Sequence, residues 1–209
     1  MSTPQPNNPE LAQIEVQGIT RQSFILKGAL ATGAVLGVGA VGPYVTNALA
    51  ASSSSDVDIL NFALTLEYLE ANFYNVKAKS VGLSGHAAST AALFGGQEEA
   101  HVKALTAAVR SLGGKPAAMP KFVFPATSQS SFLKLAFTLE NVGVGAYNGA
   151  GPSLTSTKLL AAAGSIVQVE ARHAATIALL ISKPVTPDGA FDKPLTKSKV
   201  LADVKPLIK

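Results

Sequence analysis

The chain has no cysteine among its 209 residues, and it has few aromatic or charged ones, at 6% and 14%. Without a thiol, disulfides, thiolate metal sites and cysteine nucleophiles are excluded, so any bound metal must rely on carboxylates and imidazoles. Hydrophobic residues make up 47%, largely alanine, a composition that favours closely packed helices over a thick sandwich of large side chains. Charge of one sign is scarce too, since 17 basic and 13 acidic residues leave a formal charge of +4. The one local excess, Lys193, Lys197, Lys199, Lys205 and Lys209, reads as a solvated tail, and nucleic acid is not an expected partner. The length suits one domain with an appendage.

The first fifty residues read as an address. Residues 1–19 are polar and carry no apolar period. Thr20-Arg21-Gln22-Ser23-Phe24-Ile25-Leu26-Lys27 then precedes a Gly/Ala-rich apolar stretch ending at Gly42, and Ala48-Leu49-Ala50 leads into a serine run. This is the order of an export signal cleaved after Ala50, with 51–55 as linker. The apolar stretch is shorter and more glycine-rich than a spanning helix of ~20 strongly apolar residues. It resembles a twin-arginine signal, with Arg21 and Phe24 in the box and Gln22 where the second arginine belongs. The resemblance implies the export machinery as a partner and a periplasmic or extracellular location. A retained N-terminal anchor helix or a disordered arm are the alternatives.

From Asp56 the pattern turns helical. Asp56 and Asp58 follow serines that can cap a helix, and Leu60, Leu64, Ala71 and Tyr74 recur on one face through about Lys79. Further helices are expected at about Ala87 to Leu112, Ser128 to Ala150 and Ser153 to Ser182, punctuated by Gly113-Gly114, Pro116 and Gly151-Pro152. A long connection rich in proline and phenylalanine joins the second to the third, its aromatics expected to cap one end of the core. Pro184 and Pro187 open a tail, 183–209, in which 197–204 reads as one more short helix. The expected fold is an all-α, antiparallel four-helix bundle over 56–182, made of two helix pairs and a long crossover.

The two pairs repeat each other. Phe62-Ala63-Leu64-Thr65-Leu66-Glu67 aligns with Leu135-Ala136-Phe137-Thr138-Leu139-Glu140, and Tyr74-Asn75 with Tyr147-Asn148 at the same offset. Glu98-Glu99-Ala100-His101 aligns with Glu170-Ala171-Arg172-His173 at an offset one residue shorter. A duplicated pair implies a pseudo-twofold bundle with matched residues at its centre.

Glu at i and His at i+3 share a helix face, so each Glu-x-x-His can point inward from one turn. With one further Glu from each partner helix, Glu67, Glu98, His101, Glu140, Glu170 and His173 form the donor set of a two-metal carboxylate site. Four carboxylates neutralise two divalent cations, which offsets most of the cost of burying both. Oxygen and nitrogen donors suit iron or manganese, and zinc is admissible. Glu67 shares its face with Leu60, Leu64 and Ala71, and Glu140 with Ala136 and Val144, where an unpaired carboxylate would be poorly solvated. Surface glutamates with two incidental histidines would be the alternative, and the duplication argues against it. Tyr74, Tyr147 and Glu70 are candidates for support of the site, Glu70 as an acceptor or an extra ligand. Glu99 and His86 read as solvated. Gly143, Gly145 and Gly149 weaken the third helix and call for close approach of a neighbour, or local flexibility.

The phrases Leu64-Thr65-Leu66-Glu67-Tyr68-Leu69-Glu70-Ala71-Asn72-Phe73-Tyr74 and Glu170-Ala171-Arg172-His173-Ala174 resemble the ferritin-like superfamily. More narrowly, they resemble exported bacterial ferritin-like domain proteins related to plant desiccation-associated proteins. The resemblance implies that the six Glu and His residues bind two transition-metal ions. It also implies reactions with oxygen or peroxide, of ferroxidase, peroxidase or catalase type, protective under oxidative or drying stress. No single reaction is selected. A non-catalytic metal-binding envelope or stress protein is the alternative. Haem is not expected, because Met1 and Met119 are the only methionines and Met119 lies in the proline-rich loop. A homo-oligomer is compatible with the sequence, whereas the export signal and long crossover argue against a closed storage cage.

Overall fold

A computed structural model of the chain describes residues 55–209. The export-signal residues Arg21, Phe24, Ala48 and Ala50 lie outside the described residues.

Helix α1 spans Asp56–Asn72 and runs through a π-helical segment, Phe73–Lys77, into the short α2, Ala78–Val81. Helix α3 spans Gly85–Ser111, α4 Gln129–Ala150, α5 Thr157–Leu180 and α6 Lys197–Val204. Side chains satisfy the free N–H groups at several starts. Ser55 accepts from the Asp58 amide, Ser128 and Ser131 form a reciprocal capping box, Ser156 accepts from Leu159 and Thr196 from Lys199. The fourth bundle helix begins at Thr157, later than the sequence pattern suggests. Pro152 holds Gly151–Ser153 as a separate 3₁₀ turn before the Ser156 cap.

Helices α1 and α3 pack as one pair and α4 and α5 as the other, as the repeat requires. Residues 112–128 form the crossover. Two apolar clusters fill the bundle. One is built around Phe73, which stacks on Phe132 with ring centroids 4.2 Å apart and meets Phe124 edge-on at 5.1 Å. The other gathers Leu60, Leu64, Leu105, Val109 and Ile166. Tyr74 belongs to the first and Tyr147 to the second.

The C-terminal segment is more than a solvated tail. Its lysines are exposed, but Val200, Val204 and Leu207 are buried in the first cluster. Leu195 donates its amide to the Gly145 carbonyl at 2.8 Å, and Val123 donates to Leu207 at 2.9 Å. Phe122 pairs with Ile208 in an isolated antiparallel bridge. The crossover and the C-terminus thus close one end of the core together. Leu195 also accounts for two glycines. A Cβ at Gly145 would lie 2.5 Å from Leu195 Cγ, and one at Gly149 only 1.9 Å from the Leu195 carbonyl oxygen.

Among the described residues, no helix is long and apolar enough to cross a membrane.

Candidate metal centre

Hydrophobic periodicity turns seven ionisable side chains into the bundle. Glu67, Glu98, Glu140 and Glu170 have no solvent exposure, His173 has 1%, Glu70 3% and His101 9%. Each of the four long helices contributes, with Glu67 and Glu70 on α1, Glu98 and His101 on α3, Glu140 on α4, and Glu170 and His173 on α5. The structure therefore brings all six predicted donors together.

They form two overlapping groups. Glu67, Glu98, His101 and Glu170 offer ligand atoms within 4.8 Å of one another, and so do Glu98, Glu140, Glu170 and His173. The shared members divide their oxygens between the groups. Glu98 Oε2 lies 3.0 Å from His101 Nδ1 while Glu98 Oε1 lies 2.9 Å from His173 Nδ1. Glu170 Oε1 lies 3.0 Å from His101 Nδ1 while its Oε2 lies 3.8 Å from His173 Nδ1. Glu67 belongs to the His101 group at 3.2 Å, and Glu140 to the His173 group at 3.4 Å. Two carboxylates thus span both groups and two terminate them.

The donor chemistry fits cations. His101 Nδ1 has three carboxylate oxygens within 3.2 Å, from Glu67, Glu98 and Glu170, and one ring N–H can serve only one of them well. His173 Nε2 donates to Gln97 Oε1 at 2.7 Å, which in the neutral ring leaves Nδ1 as a bare lone pair facing carboxylates. Glu98 Oε1, Glu140 Oε2, both Glu170 oxygens and His173 Nδ1 are buried without a hydrogen-bond partner. The ion-pair distances at His173 are short, yet the groups are not aligned for donation. With neutral rings these lone pairs face one another and repel, and a shared cation, whether a proton on each imidazole or a metal ion, reverses the sign of that interaction.

Electrostatics reflect the crowding. Burial raises the Glu67 carboxyl to about 7 despite its contact with His101, and burial likewise raises Glu140 and Glu170. Glu98 is the exception. Burial opposes its charge, but the imidazoles of His101 and His173 both lean on it and hold it at about 2. Burial also opposes a charged imidazole, yet the carboxylates outweigh it, pushing His101 up to about 12 and His173 up to about 9.

Tyrosines brace the terminal glutamates. Tyr74 donates its hydroxyl hydrogen to Glu140 Oε1, and Tyr147 donates to Glu67 Oε1. Burial, then the nearby carboxylate, raises both phenols well above their ordinary value, so they remain donors. Tyr74 lies in the π-helical segment, whose Asn75 donates to the Gly95 carbonyl at 2.9 Å and to Glu99 Oε1 at 3.1 Å. Glu99 and His86 are exposed, in keeping with the sequence reading.

Sequence reasoning missed Gln97 and Phe94. Phe94 stacks on His173 at 3.8 Å between ring centroids, so together with Gln97 it sets the orientation of that ring. Gln97 corresponds in the repeat to Val169, so duplication gave no signal for it.

A family profile described as ferritin-like domain matches residues 55–183. A solved structure of ferritin-like, diiron-carboxylate proteins from Bacillus anthracis strain Ames is similar, with a TM-score of 0.53 and 24% identity over 60% of this chain and 94% of that one. That likeness carries the fold. Among curated proteins none matches the chain.

Proposed function

The chain belongs to the ferritin-like domain family, and from that premise we propose that it is an exported oxidoreductase whose carboxylate-bridged pair of iron or manganese ions acts on dioxygen or peroxide. One observation carries the reading. Glu98 and Glu170 each turn one oxygen toward His101 and the other toward His173, as two bridging carboxylates would. The similar Bacillus anthracis structure is described as diiron-carboxylate, which supports the same metal class.

In this reading Glu67 and His101 would complete one ion's protein donors, and Glu140 and His173 would complete the other's. A reduced pair of this kind supplies two electrons to a small oxidant. The chain's own groups do the rest. Four carboxylates balance two divalent charges in a site buried from bulk solvent. Tyr74 and Tyr147 hold Glu140 and Glu67 in place, while Gln97 fixes the ring of His173. His101 is the most exposed of the six, so a small oxidant would enter on its side. The signal-like features around Arg21 and Ala50 support export, and a role in stress protection follows from the expected reaction.

The test compares the metal-loaded native chain with a Glu140→Ala/Glu170→Ala variant for Fe(II) oxidation by dioxygen and for peroxide consumption. Turnover in the native chain and its loss in the variant are expected. A native chain that holds two metals yet oxidises no Fe(II) and consumes no peroxide would overturn the oxidoreductase reading.

A further inference from the structure

The duplicated halves differ at one point on the buried face. Glu70 follows Glu67 by one turn, and its repeat counterpart, one turn after Glu140, is Gly143. Glu70 is 3% exposed, yet among the described residues no hydrogen bond or ion pair reaches its carboxylate. A carboxylate so placed is retained at a cost in stability unless something charged comes to it.

Its position follows from the tyrosines. Tyr74 lies beyond Glu67 on its helical run and reaches Glu140, while Tyr147 lies beyond Glu140 and reaches back to Glu67. These reciprocal contacts set α1 and α4 antiparallel, in a register that brings Glu70 level with Gly143 midway between the two terminal glutamates. A Cβ at Gly143 would lie 3.2 Å from Glu70 Oε1 and 3.7 Å from Glu170 Oε2. The Glu70 carboxylate therefore fills room that the glycine leaves, beside one of the two spanning carboxylates. Close to a pseudo-twofold axis only one of two equivalent side chains fits, so the symmetry must break there. Glu70 belongs to neither four-donor group in this conformation. A change of its side-chain rotamer would be needed to bring the carboxylate onto a metal.

We propose that Glu70 is a seventh protein donor to the metal pair, entering from α1 between the two ligand groups and making the centre asymmetric. This rests on the dimetal reading. The seventh donor would hold by protein a position that the duplicated six leave to water or oxidant. It would favour the higher oxidation states, since a fifth carboxylate adds negative charge where the metals gain positive charge.

The test is Glu70→Gln, which keeps the volume and removes the anionic donor, measured by Mn(II) titration calorimetry and by the absorption of the Co(II)-loaded protein. The native chain is expected to bind two ions. In the variant one of the two should bind roughly 10- to 100-fold more weakly, with a changed Co(II) spectrum. Its metal-free form should melt no lower than native, which separates lost ligation from lost folding. Glu70→Asp should recover part of the affinity. If Glu70→Gln matches native in both affinities and in the Co(II) spectrum, the proposal is overturned and the dimetal reading stands. If the native chain binds neither Mn(II) nor Co(II), both fall.

Discussion

Tyr147 on α4 gives its hydroxyl hydrogen to Glu67 on α1, eighty positions earlier in the chain, and Tyr74 returns the same contact to Glu140. The pair ties the two repeats together across the bundle at the level of the site. A carboxylate that is wholly buried beside other carboxylates needs such a donor to keep one orientation.

Removing either hydroxyl should therefore cost stability and metal affinity together. Tyr147→Phe and Tyr74→Phe leave a buried carboxylate oxygen without its donor, for a loss of about 1.5–3 kcal/mol each. Urea unfolding of the metal-free proteins measures this. Both variants should still bind two ions, and unchanged stability in both would contradict the bracing role.

Metal should stabilise the fold reversibly. The unfolded chain scatters the six donors, so ions bind the native state preferentially. With free Mn(II) at 100 times its dissociation constant, each site should add about 2.7 kcal/mol. The check is a rise in melting temperature on adding Mn(II) and its return on adding a chelator.

Gly149→Ala should loosen the C-terminal segment without touching the site. Its new methyl would sit 1.9 Å from the Leu195 carbonyl oxygen, closer than atoms can approach. Overpacking of this kind costs about 1–3 kcal/mol. Faster hydrogen exchange at the Leu195 amide, which bonds to Gly145, would report the displacement, while metal stoichiometry stays native.

Acid stability should depend on Asp56. Its carboxylate accepts from the Thr155 amide and hydroxyl, both at 2.8 Å, and those bonds hold its pKa below the ordinary 3.8. A lowered folded value contributes stability above the unfolded pKa, and that contribution is lost as pH falls through the folded value. Asp56→Asn should flatten this part of the acid limb, measured by urea midpoints across acidic pH.

The buried cluster of glutamates and histidines was legible because charged residues stood at core-facing positions and did so twice. Glu67, Glu98 and His101 would each be unremarkable alone, and their spacing in a duplicated pair gave them meaning. Helix existence was equally legible from the 3.6-residue period. The π-helical segment was not, since one widened turn barely disturbs the apolar stripe that carries Phe73 and Tyr74. The docking of the C-terminus was masked by its lysines. The period of Val200 and Val204 is too short to say what they pack against, and Leu195 meets Gly145 and Gly149 only through tertiary structure. Gln97 was invisible because it supports a histidine on another helix.

The most direct test is elemental analysis of the full chain loaded anaerobically with Fe(II) or Mn(II) and desalted, beside a Glu98→Ala/Glu170→Ala variant. Loss of both spanning carboxylates should abolish binding of both ions, while the native chain retains two. A folded native chain without stoichiometric transition metal, or a variant that keeps both ions, would contradict the account.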